Sequence, residues 1–554
     1  MIDSGITKYM NVKEFHTNLL FQSTYTEMQV FYVCIKQMAV TKAENINYLE
    51  RGKEMSQQFF KRKRHDSSSA SEKYDHLHVS SDLKTNLLEI KNILGESIDV
   101  KIVEFLEMPV PFGICYIEGL INKQQLELSI IEPIKRTQLE NNKLQPKELI
   151  HQTEVSAIIS PCPHFDLIIT PVLKGQVIIF VDGMTKAYSI PLETWETRGV
   201  EEPEAQTMVR GPREGFIETL QTNTTLIRRR ISNPTLRFKP FQVGKITKTT
   251  ILVSYLESQV DQEVLQEVIK RITNLNTDKI FESGMLEELI DENGYSPFPT
   301  FQSTERPDVA AAALSEGNVV IMFEGTPFVL ITPTTFISFF QAAEDYYHHF
   351  DLSSFIRVIR VISFMISLAL PAAYIAVTTF HQELIPTNLL VSLAAQREGV
   401  PFPAFVEALV METIFEILRE AGIRMPRPIG SAVSIVGAIV IGESAVAAGL
   451  VSPAIVIVVS LTAISSFVSP YYGFSGAARL LRFVLMILAA TTGIFGMIFF
   501  MIGLLIHLCS LTSMGKPYFS PLAPFQSGKQ KDSLLRLPLW WTQTKMHRKW
   551  VKKS

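Results

Sequence analysis

From Val361 to Phe380 the chain runs for twenty residues without a charged side chain. At ~1.5 Å per helical residue this is enough to cross ~30 Å of hydrocarbon. Backbone polar groups inside lipid must be satisfied within the segment, so the run predicts a transmembrane helix, with Arg357 and Arg360 at its leading end. Pro428 to Gly442 and Ser444 to Ala478 are also uncharged and are separated by Glu443, with natural breaks at Pro453 and at Pro470 to Gly473. Phe483 to Gly515 supplies another long apolar stretch. The small residues Gly437, Gly442, Ala445, Ala448 and Gly449 suit close helix contacts. Leu384 to Gln396 is too short to span, and Glu407, Glu412, Glu416 and Glu420 stud the residues up to Gly422, so that Leu384 to Gly422 reads as an interfacial or re-entrant helical segment. We expect about four spans, which places both ends of the block on one side. A fifth would instead put Arg479 and Arg482 inside.

Charge separates this block from the rest of the 554 residues. Net charge is −12 from Met1 to Phe355, +1 from Ile356 to Ser510 and +8 from Leu511 onward. The chain thus divides into a soluble-like acidic head, an apolar block and a basic tail, and the low charge density of the block argues against a nucleic-acid-binding chain. The first thirty residues carry Asp3, Lys8, Lys13, Glu14 and Glu27 instead of a secretory apolar core, so the amino-terminal region is expected to stay inside. Cys34, Cys115, Cys162 and Cys509 show neither disulfide nor zinc spacing, and no phosphate-binding G-x-x-x-x-G-K-[ST] loop is present.

Within the head, Lys61 to Ser71 reads as a solvated basic and serine-rich linker, Leu83 to Leu94 as an amphipathic helix, and Val155 to Ile159 and Val177 to Val181 as strands. Gly175-Gln-Val-Ile-Ile-Phe-Val-Asp-Gly183 recurs as Gly317-Asn-Val-Val-Ile-Met-Phe-Glu-Gly325, each copy a buried strand closed by an acidic-Gly turn. The repeat marks either two related subdomains or two unrelated hairpins of similar composition. Arg213 to Ile231 has helix signals, with Glu214 and Glu218 early and Arg228, Arg229 and Arg230 late; Pro307 opens another helix that Gly317 ends. The fold expected is an α/β cytoplasmic head of two related subdomains plus an α-helical polytopic membrane domain. Its divisions are a variable extension and linker (1–80), a first α/β subdomain (81–205), a connecting helical segment (206–245), a second α/β subdomain (246–350), the transmembrane domain (351–515) and a basic tail (516–554).

Three constellations stand out. Ser363, Ser367, Tyr374 and Thr378 share one face of the first span and either line water or bond back to helix carbonyls, while Val361, Ile362 and Met365 could form an apolar constriction. Glu443 is an ionisable residue inside the second span, costing ~2.5–3.5 kcal/mol on insertion scales, and faces protein, water or an ion unless it sits at an interfacial helix end. Glu412, Glu416 and Glu420 recur every four residues, either as an acidic pore-mouth face or as a solvated face paired with Arg419, Arg424 and Arg427. No catalytic constellation is present in the sequence. Cys162 and His164, or His348 and His349, lack an orienting partner, so no enzyme, cofactor or metal is expected.

Arg210-Gly-Pro-Arg213-Glu214-Gly-Phe216, Thr304-Glu-Arg306-Pro-Asp308, Pro401-Phe-Pro403, Glu416 to Gly422 through Pro426, Gly430, Gly437 and Gly442-Glu443-Ser-Ala445 together resemble the A subunit of the GerA-type spore germinant receptors, over roughly Ser81 to Gly515. The resemblance implies an inner-membrane protein of bacterial spores that works with a transporter-like B subunit and a lipoprotein C subunit. It also implies a homo-oligomer, a pentamer in the family, forming a nutrient-gated cation channel that triggers germination, with nutrient recognition mainly in the B subunit. On that basis the first-span stripe becomes pore-lining, and Arg210, Arg213, Glu214 and Arg306 become head contacts between subdomains or subunits. The rival readings are a non-conducting membrane scaffold that clusters germination proteins and a secondary transporter coupled through Glu443.

Overall fold

The computed structural model describes residues 74, 76–140, 146, 159–192, 202–203, 206, 208–425, 442–526 and 530–538. The expected strand at Val155 to Ile159 falls outside them except for Ile159, which is not in a strand.

The head begins with α1 (Leu83–Leu94). Asp82 caps it by accepting from the Thr85 amide, and Gly95, at φ +68°, ends it. Leu83, Leu87, Ile90 and Leu94 repeat at helical spacing and are buried. Next come β1 (Val100–Phe105), β2 (Phe112–Ile117), α2 (Lys123–Leu126), α3 (Glu132–Glu140), β3 (Ser160–Cys162), α4 (Asp166–Leu173), β4 (Gln176–Val181) and β5 (Ala187–Pro191). All pairings are antiparallel and the order is β1-β2-β4-β5-β3.

The second sheet comes after α5 (Leu220–Arg230) and contains β6 (Leu236–Val243), β7 (Thr249–Leu256), β8 (Gln302–Thr304), β9 (Val319–Phe323) and β10 (Val329–Thr332), with α6 (Gln262–Thr273), α7 (Ser283–Ile290) and α8 (Pro307–Ser315) between strands. Its order, β6-β7-β9-β10-β8, repeats that of the first sheet position for position. The two copies of the sequence repeat fall on β4 and β9, both central and almost wholly buried. Their leading glycines do the same work. Gly175 and Gly317 have φ near +90°, and a Cβ there would come within 2.8 Å of the Leu120 carbonyl and 2.6 Å of the Gln259 carbonyl.

Two sequence expectations shift here. The helix read as Arg213 to Ile231 is confined to α5, because Thr219 is extended and starts it. The stretch 206–245, read as a connecting helical segment, contributes β6 to the edge of the second sheet.

The helical part comprises α9 (Phe350–Thr379), α10 (Thr387–Arg397), α11 (Ala404–Arg424), α12 (Gly442–Ala447), α13 (Pro453–Ser466), α14 (Tyr472–Thr492) and α15 (Ile494–Ser510). Among the described residues two helices, α9 and α14, are long and apolar enough to cross a bilayer; α13 and α15 are apolar but shorter. Four spans were expected. Residues 428–441 of the second expected span lie outside the described residues, and the stretch from Phe483 to Gly515 is divided at Gly493, whose φ of +65° stops α14. Arg479 and Arg482 therefore lie within the body of a helix rather than beside one. The expected re-entrant segment is α10 and α11, joined across Pro401 and Pro403.

An aromatic cluster unites head and helices: Phe336, Phe339 and Phe340 from the end of the second subdomain pack on Phe364 of α9 and Phe474 of α14. After α15 the chain returns to the head as a hairpin, β11 (Thr512–Ser513) and β12 (Lys516–Pro517). Met514, at its tip, is buried in the core under the second sheet.

Candidate functional site

The base of α9 holds a cluster of buried charge. Arg357 and Arg360 project from its second and third turns, and Asp345 comes from the loop ending the head; Arg357 is 0% exposed and Asp345 2%. Arg360 Nη1 donates to Asp345 Oδ1 at 2.7 Å and to the Phe340 carbonyl at 3.1 Å, and Arg357 Nε donates to Asp345 Oδ2 at 3.1 Å. A strap of residues 530–538 closes the cluster. Arg357 Nη1 donates to Asp532 Oδ1 at 3.0 Å and to the Ser533 carbonyl at 3.0 Å. Arg536, also buried, donates to the Asp345 carbonyl and to the His348 carbonyl, and its backbone exchanges hydrogen bonds with Ser354 Oγ. Buried guanidinium groups need several fixed acceptors. Here the head, α9 and the strap each supply some.

Asp345 also stands near a second network. Arg306 Nη2 donates to Asp308 Oδ2 at 2.8 Å and to the Pro212 carbonyl at 3.0 Å, and the Tyr347 hydroxyl donates to Asp308 at 2.5 Å. Burial, helped by that hydrogen bond to a carboxylate, pushes the Tyr347 hydroxyl up to about 12. Glu344 accepts from the Val209 amide at 2.6 Å. Thus the segment around 206–212 connects through Arg306, Asp308 and Tyr347 to the loop that holds α9.

A third network lies between α11 and α14. Arg482 pairs with Glu412, both side chains wholly buried. Arg479 pairs with Glu416 at 3.2 Å, and Arg419 donates to Ser466 of α13 while stacking on Phe467 at 4.5 Å. Glu407, also buried, accepts from Arg397 of α10 at 3.3 Å and from the Ser452 amide at the start of α13 at 2.9 Å. One carboxylate therefore fastens three helices.

The sequence-derived candidates are dispersed by this arrangement. Ser363, Ser367 and Thr378 are buried inside the helical bundle; Ser367 Oγ donates to the Phe364 carbonyl at 2.9 Å and Thr378 Oγ1 to the Tyr374 carbonyl at 2.7 Å. Tyr374 is half-buried, with its hydroxyl 3.5 Å from Ser452 Oγ. Val361 is half-buried and Ile362 is 52% exposed, on the outer face of α9 with Phe355, Ile359 and Met365. Glu443 is exposed in the first turn of α12. Glu412 and Glu416 are held by arginines within the bundle, and Glu420 pairs with Arg424 at 2.6 Å. In the head, Arg210 is exposed, Arg213 meets Glu202 at 3.2 Å on the surface, and Glu214 meets Arg230 at 2.9 Å.

One side-chain contact between the two subdomains, beside the Ile98–Phe238 and Ser97–Phe238 bonds to β6, comes from a residue read as a helix-dipole partner. Arg228 of α5 makes a two-pronged bond to Asp99, just before β1, at 2.9 and 3.1 Å, and also donates to the Leu236 carbonyl of β6. Asp345, Asp532 and Arg482 were likewise missed. The available signal was that charged residues inside an apolar block need partners.

The model of the Bacillus/Clostridium GerA spore germination protein family matches residues 88–548. The chain belongs to the GerA family of spore germinant receptor A subunits. It is similar to spore germination protein KA of Bacillus subtilis (strain 168), 46% identical over 470 residues that cover 84% of this chain and 86% of that one. GerLA of Bacillus cereus is 36% identical over 83% of this chain and 94% of its own. The uncharacterized membrane protein YfkQ of Bacillus subtilis (strain 168) is 40% identical over 84% and 91%. The crystal structure of the N-terminal domain of the A subunit of the Bacillus megaterium spore germinant receptor GerK3 aligns with 47% of this chain and 97% of its own at 30% identity and a TM-score of 0.38. The buried arginine cluster at the base of α9 joins the sheet-rich head to a helix long and apolar enough to cross a membrane.

Proposed function

We propose that this GerA-family protein acts in the inner membrane of spores as the A subunit of a nutrient receptor, together with a transporter-like B subunit and a lipoprotein C subunit. In this reading copies of the chain assemble as a ring, a pentamer as the family resemblance implies, around a cation-conducting path, and the head lies on the cytoplasmic side. The observation that carries the reading is the Arg357–Asp345–Arg360 cluster. A head displaced by a partner cannot move Asp345 without moving α9 or breaking buried ion pairs, so a partner's differential affinity for two head positions becomes a bias on the helix.

The exposed face of α9 refines the path. Phe355, Ile359, Ile362 and Met365 face outward, whereas Ser367 is 3% exposed within the bundle. In this reading the path between copies is lined by the apolar side of α9, and an apolar constriction gates by dewetting. The test is nutrient-triggered cation release from dormant spores carrying Ile362→Ala or Ser367→Leu, with the protein level measured in each. Release without nutrient in Ile362→Ala, and reduced accumulation in Ser367→Leu, is expected. Normal gating by Ile362→Ala at normal abundance would overturn the assignment in favour of a non-conducting scaffold.

A further inference from the structure

Arg482 of α14 is wholly buried, and among its guanidinium nitrogens only Nη1 has a partner, Glu412 of α11. Its Nε and Nη2 have none among the described residues. These two atoms form the side-on edge of a guanidinium, with parallel N–H bonds that suit an acceptor held by both. Two further arginines stand in the same network. Arg419, 6% exposed, lies 3.8 Å from Glu416 and donates to Ser466, and its Nε is unpartnered. Arg479, 16% exposed, pairs with Glu416 at 3.2 Å, and its Nε is unpartnered too. Three arginines thus share two carboxylates, which leaves one positive charge over. No other acid of the helical part pairs with them among the described residues. Glu407 serves Arg397 and Ser452, Glu420 serves Arg424, Asp351 serves His349, and Glu383, Glu398 and Glu443 are exposed. Residues 425–442, between α11 and α12, carry Arg427 and no acidic residue. A buried charge in excess needs a counter-charge, and orphaned buried donors need acceptors. Water could donate to Glu412 Oε1 and Glu416 Oε1, which also lack partners, but it would leave the arginine charge uncancelled.

We propose that the seam between α11 and α14 binds a small monovalent inorganic anion, chloride or an oxyanion of similar size, on the Nε–Nη2 edge of Arg482, with Arg419 and Arg479 adding attraction. The complete enclosure of Arg482 selects for a small ion. The site depends neither on ion conduction nor on which side of a membrane the head lies.

The test uses the full-length protein in a neutral maltoside detergent, in potassium gluconate, with chloride exchanged for gluconate at constant ionic strength. We expect the thermal midpoint to rise by at least about 3 °C on reaching ~0.1 M chloride and then to level off, with nitrate acting alike. Radioactive chloride retained by the protein should approach about one ion per chain and be displaced by nitrate. Arg419→Met leaves Glu412–Arg482 and Glu416–Arg479 as balanced pairs and should lose both responses, whereas Arg424→Met, at an exposed pair, should keep them. The double variant Arg482→Met with Glu412→Leu removes the edge itself and should also lose them, so the site can be judged even if Arg419→Met does not fold. Neither a midpoint shift nor retained chloride in the parent would overturn the proposal. Responses kept in both variants would overturn it as well, since the ion would then sit elsewhere. Stabilisation by added phosphatidylglycerol and not by chloride would overturn the small ion in favour of a lipid phosphate.

Discussion

Arg482 of α14 and Glu412 of α11 form an ion pair in which neither side chain has any exposure. The pair ties the segment that was hardest to place from sequence to a helix long enough to span. Removing one partner leaves the other charged in an apolar interior. Arg482→Ala or Glu412→Ala should each destabilise the protein by about 3–5 kcal/mol. The double variant Arg482→Met with Glu412→Leu should recover most of that loss. Thermal midpoints of the purified proteins in one detergent will read it; a double variant as unstable as the singles would show that the pair's contribution is not electrostatic.

The strap should detach when its acceptors are lost. Arg357→Ala removes the donors to Asp532 and Ser533, and Asp532→Ala removes the carboxylate that accepts from Arg357 and Tyr346. Trypsin should then cut after Arg536 at least about tenfold faster than in the parent, because a buried bond becomes accessible through local opening. Unchanged cleavage would mean that the strap is held mainly by Arg536 itself.

Arg228 joins the sheets. Arg228→Ala leaves Asp99 buried with only Ser97 as a side-chain partner, and about 3–5 kcal/mol of head stability should go with it. Denaturant melts should show this as an earlier transition, and Arg228→Lys, which cannot make the two-pronged bond, should restore only part.

Glu287 of α7 gives the head a pH dependence. Burial, together with the nearby Asp291 and Glu282, pushes its carboxyl up from 4.5 to about 7. A carboxyl raised on folding binds its proton more tightly in the folded state. Its cost to stability is absent below pH 4.5, grows as pH rises toward 7 and is complete above that. Glu287→Gln should therefore raise the melting temperature at pH 8 and leave it nearly unchanged at pH 4.5. An equal gain at both pH values would assign the effect to something other than ionisation.

What the sequence made legible was local. The helix from Leu83 to Leu94 has both its cap and its terminating glycine written in the chain, and the repeated strand has a glycine at each end that the backbone requires. Pro307 and Gly317 bracket α8 for similar reasons. The candidate site was less legible because its chemistry is non-local. Spacing of Ser363, Ser367 and Thr378 showed a shared face but could not say whether that face looks into the bundle or out of it. Every four residues a glutamate appears on α11; Arg419 and Arg424 of the same helix meet Glu416 and Glu420 as the spacing allowed, yet Arg482 and Arg479, which pair with Glu412 and Glu416, lie on α14, 70 and 63 residues away. Arg357 and Arg360 looked like charges marking a membrane boundary. Their partners, Asp345 and Asp532, come from opposite sides of the membrane block in sequence.

The hairpin after α15 bears on the order in which the protein can be made. Ser513 donates to the Thr300 carbonyl across a separation of 213 residues, and Met514 completes the core beneath a sheet whose strands were all translated earlier. Synthesis from the amino terminus must therefore pass through every apolar helix before the second sheet receives its last core residue. The head should mature only once the membrane block has been delivered. A chain truncated before Met514 would be left with an open core, a mark that quality-control proteases can recognise without sensing the membrane at all.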